Sequence, residues 1–399
     1  MYAQTFGIGR VYPVIHQPSV HGIEPSLRGC CFFCFCGCLS FVLLFQMQIK
    51  PVERLQGVTQ YTQFTVLEEA GTYDERNYYV VCAKGLYPDE EKECKFRLSM
   101  ESPYTVSVGD VSGAMVTFSQ ANTGNLWSQN IPLTAVLAQD ASPTKMGEEK
   151  GFSYIAHTAR LWVGRSFVTF GNSDTLSLVQ GICLGNADGM SKGLQQDFYS
   201  CGLGHLAAVS GLHTSQIAGV FIGLFLLVIQ RKSWVKLCSL GFVWAFVLLT
   251  GASFSSLRAA VMFTCFAIAN CFFRKPGSLN TLGLAITAIL LCDPFAVGNI
   301  GFLASVSACV GLILLTSPLE QKLLSLFPIR WQTCKPFVWV IKAFAVTLAA
   351  TVATVPCNFL GFCNLALVAP LANLICVPLA TFILILGPLG ALLCTIPFL

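Results

Sequence analysis

The sequence predicts a polytopic α-helical membrane protein with a small external β-rich domain. Three observations carry that prediction. Of 399 residues, 54% are apolar and only 11% are charged, against roughly 25% charged in ordinary soluble domains. The mean hydropathy is +0.65. The second half of the chain is a near-continuous series of apolar runs, while residues 51–140 are polar, charge-rich and β-prone. Together these exclude a disordered chain and argue against a single soluble globule.

Taken in order, residues 1–28 are polar and turn-rich. Residues 29–49 carry no charge and are long enough to span a bilayer. The long, weakly charged segment before them, and the lack of a small-residue cleavage site after them, favour a signal anchor over a cleaved signal peptide. Between 51 and 140, β-formers alternate with polar residues around Tyr61–Leu67, Tyr78–Ala83, Phe96–Met100, Tyr104–Val108 and Ala114–Ser119, with turn signals between them. That pattern predicts a β-rich domain of the five-stranded barrel kind. Residues 141–150 read as a polar linker. Over Phe152–Phe170, Phe152, Tyr154, Ile155, Trp162 and Phe167 recur at helical spacing with His157, Arg160 and Arg165. An amphipathic helix at the membrane interface fits, and a buried helix of the polar domain is the alternative. The expected domains are 1–50, a cytoplasmic N-terminus and anchor; 51–140, the external β-rich domain; 141–203, linker and interfacial helices; and 204–399, the transmembrane domain.

Candidate spans in that last domain are 204–229, 234–253, 257–273, 278–292, 297–316, 337–356, 364–379 and 381–397. Three basic clusters punctuate them: Arg231, Lys232 and Lys236; Arg274 and Lys275; Lys322, Arg330 and Lys335. The loops between, Gly251–Ser256 and Asp293–Asn299, have no cations. The positive-inside rule places the clusters in the cytoplasm and the bare loops outside. Extending that alternation backwards puts residues 51–203 outside and the N-terminus inside. Pro370, Pro378 and Pro388 interrupt the last two spans.

Charge is divided unevenly. Residues 1–199 hold 14 Lys/Arg and 18 Asp/Glu, whereas residues 200–399 hold 10 Lys/Arg and two acids, Asp293 and Glu320. An apolar domain with a cationic excess tolerates or attracts an anionic ligand, although loop anchoring alone accounts for much of the excess. The 19 cysteines are no disulfide scaffold: most lie in apolar runs, where they act as small hydrophobes. The Cys30–Cys38 group lacks the second pair or histidines of a zinc site, so no metal or other cofactor is expected. Cys82 and Cys94 lie in the polar region, where a disulfide remains open.

The chemistry-bearing residues concentrate in a few segments. The first span opens GLGHLAAVSGLHTSQIAGV. Read as one helix, it places four of the five groups His205, Ser210, His213, Thr214 and Gln216 within an arc of roughly 140°, with Gly204, Gly211 and Gly219 opposite. Ionisable residues inside spans mark function by default, so one reading is a helix lining a watery path and the other is an interhelical hydrogen-bond network. Ser210 and His213, three apart, raise a hydrolase, but no acid nearby is an obvious orienting partner. Arg258, in TGASFSSLRAAVM, either snorkels to the outer interface or meets phosphate with Ser253, Ser255 and Ser256 as neutral donors. Ser305 follows in DPFAVGNIGFLAS. The segment 350–379 adds Pro356, Asn358, Asn364 and Asn373, the breakers and buried amides tolerated where protein or water meets the backbone.

In this order the segments resemble the ComEC-type DNA-uptake (competence) channel family. The resemblance rests on LGNAD (Leu184–Asp188), HLAAVSGLH (His205–His213), SSLRAAVM (Ser255–Met262), the Asp293, Pro294, Gly301, Phe302 and Ser305 pattern, and PLANLICVPL (Pro370–Leu379). It covers roughly residues 175–380. The anchor and β-rich domain also resemble the family's N-terminal half, where an OB-like domain is found. The resemblance implies a channel passing single-stranded DNA across the cytoplasmic membrane during transformation. A surface DNA receptor and a cytoplasmic DNA-translocating motor are the implied partners, alongside membrane lipids, and a homo-oligomer is compatible with it. Many members have GFQLS where this sequence has GFLAS, so Leu303 replaces an amide. The sequence given ends at Leu399, its five histidines form no HxHxDH cluster, and no nuclease activity is expected of it. Degradation of the second strand would then fall to another protein.

The expected DNA path combines His205, Ser210, His213, Gln216, Arg258, Ser305, Asn358 and Asn373, as neutral donors with few fixed cations. Such a path binds phosphates weakly enough to release them. No GxxxxGK[ST] loop occurs, so the energy source is external and the chain is not expected to be an enzyme. A small-molecule or lipid transporter is the main alternative. An intramembrane hydrolase on Ser210 and a structural scaffold are weaker ones.

Overall fold

The computed structural model describes residues 39, 42, 46, 50–73, 76–86, 93–101, 104–121, 131–138, 141–167, 173–185, 189–207, 209–229, 232–272, 277–362, 366 and 368–395. Residues 1–28, all but three positions of the expected anchor, Asn186–Asp188, Asn364, and the basic residues Arg231, Arg274 and Lys275 lie outside them.

Six strands follow a short 3-10 turn at Lys50–Leu55: β1 (Thr59–Tyr73), β2 (Arg76–Ala83), β3 (Cys94–Glu101), β4 (Asp110–Gln120), β5 (Leu133–Leu137) and β6 (Thr144–Glu148). Five of them close a barrel in the ring order β1-β2-β3-β5-β4, with β1 returning to β4. Closure depends on the length of β1. Its first half pairs with β4 (Thr59↔Thr117 to Thr65↔Val111), and its second half pairs with β2 across two register shifts. Such bulges bend a strand enough to serve two neighbours. Alternate residues point inward: Phe64, Val66, Tyr79, Val81, Phe96, Leu98, Val116, Phe118 and Leu133 form one buried core. Phe96 packs edge-on against Phe64 at 6.4 Å and Phe118 at 5.3 Å.

The expected strands match β1 to β4 except at Tyr104–Val108, which is a loop. Its β-formers are there to plug the barrel: Val106 and Val108 are buried in the same core. Its backbone is held by side chains instead of a ladder. Val106 N–H donates to the Tyr79 hydroxyl at 3.5 Å, and Ser107 N–H donates to Asp110 Oδ2 at 3.0 Å. The fifth ring member is β5, parallel to β3, and the residues read as linker contribute β6, paired with β4.

Cys82 and Cys94 are free thiols. Ala83 stands opposite Cys94 and Cys82 opposite Lys95, so the two sulfurs lie on opposite faces of the sheet. Cys94 is in the core, and Cys82 faces outward. Burial and the adjacent Glu93 push the Cys82 thiol up to about 11.

The remainder is helical: α1 (Phe152–Ser166), α2 (Ser173–Leu184), α3 (Lys192–Ser200), α4 (Gly211–Leu226), α5 (Lys232–Leu249), α6 (Phe254–Cys271), α7 (Ser278–Cys292), α8 (Ile300–Ser325), α9 (Ile329–Gln332), α10 (Lys335–Phe362) and α11 (Ala369–Thr395). Helix α1 joins the barrel to the bundle. The Tyr154 ring lies against Gly109 of the β-domain, and Arg160 donates from Nε to the Leu249 carbonyl at 3.0 Å, at the end of α5. On its other face Ile155 and Trp162 are 60% and 65% exposed, so the helix is buried on one side only.

Among the described residues three helices are long and apolar enough to cross a membrane: Ile300–Ser325, Lys335–Gly361 and Ala369–Gly390. Helices α4 to α7 are apolar but shorter. Two expectations change here. The spans at 364–379 and 381–397 are one continuous helix, α11, with Pro378 and Pro388 inside it. Each proline removes one backbone hydrogen bond and bends the helix without ending it. Helix α10 likewise runs through Pro356. Helices α8 and α10 pack together as a long hairpin, with Gly311 buried between them. A Cβ there would meet Ala353 Cβ and lie 2.7 Å from the Ala349 carbonyl oxygen.

Gly311→Val should therefore overpack the hairpin and cost about 1–3 kcal/mol, read as a lower thermal transition of the detergent-purified chain. Gly219→Val, with open space at its Cβ position, serves as the neutral comparison. Cys82 should alkylate slowly at neutral pH and faster as pH rises toward 11, and Glu93→Gln should speed it at fixed pH. Mass spectrometry of maleimide adducts checks both.

Candidate functional site

The N-termini of α4, α6 and α8 and the C-termini of α5 and α7 meet at the end of the bundle nearest the barrel. There the polar residues of three helices interlock. The α4 helix begins at Gly211 because Ser210 is its extended N-cap (φ −114°, ψ 169°). His213, at the third helical position, reaches back, and its Nδ1 accepts the Ser210 N–H at 3.1 Å. This is a capping box with imidazole in the place usually taken by Glu or Gln. The accepting role of Nδ1 leaves the ring proton on Nε2, so His213 is neutral. His213 is fully buried, and among the described residues its Nε2 has no hydrogen-bond partner.

One turn away, Gly211 N–H donates to Ser255 Oγ at 2.9 Å, and Ser305 donates to the same oxygen at 2.9 Å. Ser253 donates to the Val209 carbonyl at 3.2 Å. Ser255 thus ties the start of α4 and the first turns of α8 to the start of α6. Arg258, one turn further along α6, is 6% exposed. Its Nη1 donates to Cys309 Sγ on α8, and its Nη2 would stand 2.8 Å from a Cβ at Gly211. The glycine leaves room for the guanidinium. Among the described residues Arg258 makes no ion pair, and its Nε is buried without a partner. A cation against the positive end of α4, with two more helix N-termini close by, is a local excess of positive potential.

The sequence-predicted residues divide into three groups. Ser210, His213, Arg258 and Ser305 are brought together. Gln216 lies further along α4 and donates from Nε2 to Thr381 Oγ1 of α11 at 2.5 Å; Asn373 is on the same helix α11, with its Oδ1 buried and unpartnered. Asn358 is half-buried on α10. His205 is not on α4: it sits in a 3-10 turn, Gly204–Leu206, ahead of that helix, has an accessible side chain, and contacts the Gly202 carbonyl at 3.2 Å, near enough to His213 for the two rings to interact electrostatically. The single polar arc expected from 204 onward is therefore broken at Ser210. Arg258 points into the bundle, not to the outer interface. Leu303 is 40% exposed on the outside of α8, away from Ser305.

Sequence reasoning missed Cys309 and Thr381. Both follow a predicted residue on one helix face, Cys309 four after Ser305 and Thr381 eight after Asn373, so helical spacing was the available signal. Beside the cluster, α4 and α6 leave a shallow groove of about 170 Å³ lined by Thr214, Ser215, Ala218, Gly219, Ala259 and Phe263, room for a few waters. Among the described residues no group of three His, Cys, Asp or Glu could hold a metal.

The site is thus a polar knot at one end of a bundle of apolar helices, three of them among the described residues long and apolar enough to cross a membrane, joined to a β-barrel. The competence protein family matches residues 182–399, and the chain belongs to this ComEC-type competence family. It is similar to Competence protein ComA of Neisseria gonorrhoeae, with 28% identity over 239 residues, 57% of this chain and 32% of the relative. It is similar also to ComE operon protein 3 of Bacillus subtilis (strain 168), with 26% identity over 251 residues, 62% and 30% of the two chains. A third relative is Uncharacterized protein YcaI of Escherichia coli (strain K12), 24% identical over 219 residues, 52% of this chain and 28% of that one. The chain spans about a third of the length of these relatives. No solved structure matches it.

Ser255→Ala would leave the Gly211 N–H and the Ser305 hydroxyl without their shared partner. The expected cost is about 1–3 kcal/mol, measured as a lower denaturation midpoint in detergent, with Ser215→Ala, whose hydroxyl bonds only to its own helix, near wild type.

Proposed function

We propose that the chain forms part of the conduit that passes single-stranded DNA across the cytoplasmic membrane during natural transformation. The observation that carries the reading is the family match over residues 182–399, the same stretch that holds the apolar bundle and its polar knot. Membership of a competence family supports a role in DNA uptake, and the names of the two characterised relatives support it further. In this reading the bundle is a multi-pass membrane domain, the barrel and α1 lie outside, and the N-terminus is cytoplasmic. The closed ring of five strands, with β3 and β5 parallel, supports an OB-like assignment for the external domain.

The polar knot would meet the strand. Each phosphate carries a charge that lipid alone excludes, at a cost of at least about 2.5–3.5 kcal/mol for a charged group at mid-bilayer. Arg258 and the surrounding hydroxyls and helix N-termini offer donors without a competing carboxylate. Neutral His213, Gln216 and Asn373 add weakly binding polar atoms along α4 and α11. The groove between α4 and α6 holds only a few waters, so passage requires these helices to part, or further protein or copies of the chain around them. The driving force comes from a partner motor, and a surface receptor delivers the DNA.

The Ser210 hydrolase is disfavoured by geometry. His213 Nδ1 is occupied by the Ser210 backbone N–H, the Ser210 hydroxyl is 3.4 Å from it, and among the described residues no acid orients the ring. A small-molecule or lipid transporter is separated by asking whether labelled single-stranded DNA enters vesicles carrying the chain.

The deciding experiment complements a deletion strain with variants and scores surface-bound and cytoplasmic labelled DNA separately. His213→Leu and Arg258→Gln should each lower cytoplasmic arrival tenfold or more while surface DNA persists. Wild-type arrival at normal protein levels would remove both residues from the path and the reading with them.

A further inference from the structure

We propose that the tip of the α8–α10 hairpin is a docking platform for single-stranded nucleic acid, at the end of the bundle opposite the barrel. The inference rests on the DNA-conduit reading and adds a second site to it.

The hairpin is longer than a bilayer requires. Helix α8 has 26 residues and α10 has 28, about 39 and 42 Å at 1.5 Å per residue. Glu320 and Lys342 pair across them at 3.2 Å. Glu320 lies about 30 Å from the start of α8, the thickness of the hydrocarbon core, so the ion pair marks where the hairpin re-enters water. Beyond it α10 reaches back to Lys335, about 10 Å further, past a headgroup layer of roughly 5–7 Å.

That projecting tip is built, not frayed. The Gln332 amide donates to the Leu324 and Phe327 carbonyls at 3.0 and 2.9 Å, closing the last turn of α8 and fixing the short α9 across its end. The Phe337 ring holds Phe327 at 5.0 Å and Trp331 at 5.1 Å, both edge-on. Trp331 is still 54% exposed and Leu326 71%. Lys322, Arg330 and Lys335, which flank the rings in sequence, are exposed. Over residues 317–342 there are four basic residues and one acid, and that acid is the one already paired with Lys342. A rigid, half-exposed indole framed by cations is complementary to a polyanion with stackable bases: phosphates meet the cations and a base lies on the ring. Trp339, 65% exposed and close to the ion pair, occupies the level where an aromatic belt anchors in lipid. Trp331 stands beyond it.

The test uses the full chain in nanodiscs of zwitterionic lipid with labelled oligo-dT at low salt. Trp331→Ala should weaken binding about fivefold or more, and Trp331→Phe, which keeps a ring, should retain most of it and reports that the tip is folded. The double change Arg330→Gln with Lys335→Gln should reduce the slope of log affinity against log salt by about 0.7 per charge removed. Wild-type affinity in Trp331→Ala would overturn the proposal. So would Trp331 emission that brominated lipid quenches and oligo-dT leaves unmoved, since the tip would then be a lipid anchor. The readout is equilibrium binding, so its failure leaves the conduit reading standing, and a failed uptake assay leaves this binding result intact.

Discussion

The hydroxyl of Ser255 is the hinge of the helical domain. It accepts the first backbone N–H of α4 and the hydroxyl of Ser305 at once, so three helices are registered against one atom. In an apolar bundle this is an efficient way to fix register, because greasy faces slide past each other with little penalty while an unpaired donor costs a full desolvation. Everything else at that end follows from the registration. Gly211 comes close enough to need no side chain, Arg258 fills the space so made, and Cys309 receives its guanidinium.

The same region is where the protein departs from ordinary packing economy. Arg258 is buried beside a helix N-terminus without a carboxylate among the described residues, and a fully buried imidazole keeps one ring nitrogen unpartnered. A stability-optimised core would replace both with hydrocarbon. Each unsatisfied buried donor carries a desolvation cost that nothing in the described interior offsets. The opposite end of the bundle has a different character, with paired charges at Glu320 and Lys342 and a tip of rings and cations. The two ends thus differ in chemistry: neutral donors and one buried cation where the barrel sits, and half-exposed rings with exposed cations where the hairpin projects.

The amphipathic helix α1 couples the two domains. Its Tyr154 ring rests on Gly109, and its Arg160 grips the carbonyl of Leu249 at the α5–α6 turn, where Gly251 has a positive φ of 85° and lies against the same guanidinium. Through α1 the barrel is thus in contact with the turn that begins α6, the helix that carries Ser255 and Arg258.

Much of this was legible in the residues. Period-two alternation found β1 to β4, because barrel strands bury every second side chain. Apolar run length found the helices, and the competence-type segments found the family. Local pattern failed where a contact distant in sequence decides. Tyr104–Val108 looks like a strand because its valines do enter the core, but its backbone is claimed by Tyr79 and Asp110. Strand β5 exists only because β3 and β4 leave a gap for it. The helical wheel drawn through His205 failed because Ser210 and His213 cap a new helix, a signal disguised by imidazole standing where Glu or Gln is usual. Composition and periodicity by themselves determined an apolar helical bundle and a β-domain, since these depend on transfer free energies that each residue carries with it. Which polar residues meet, and that Arg258 turns inward to Cys309, was decided by tertiary structure, because it depends on the register of helices far apart in the chain.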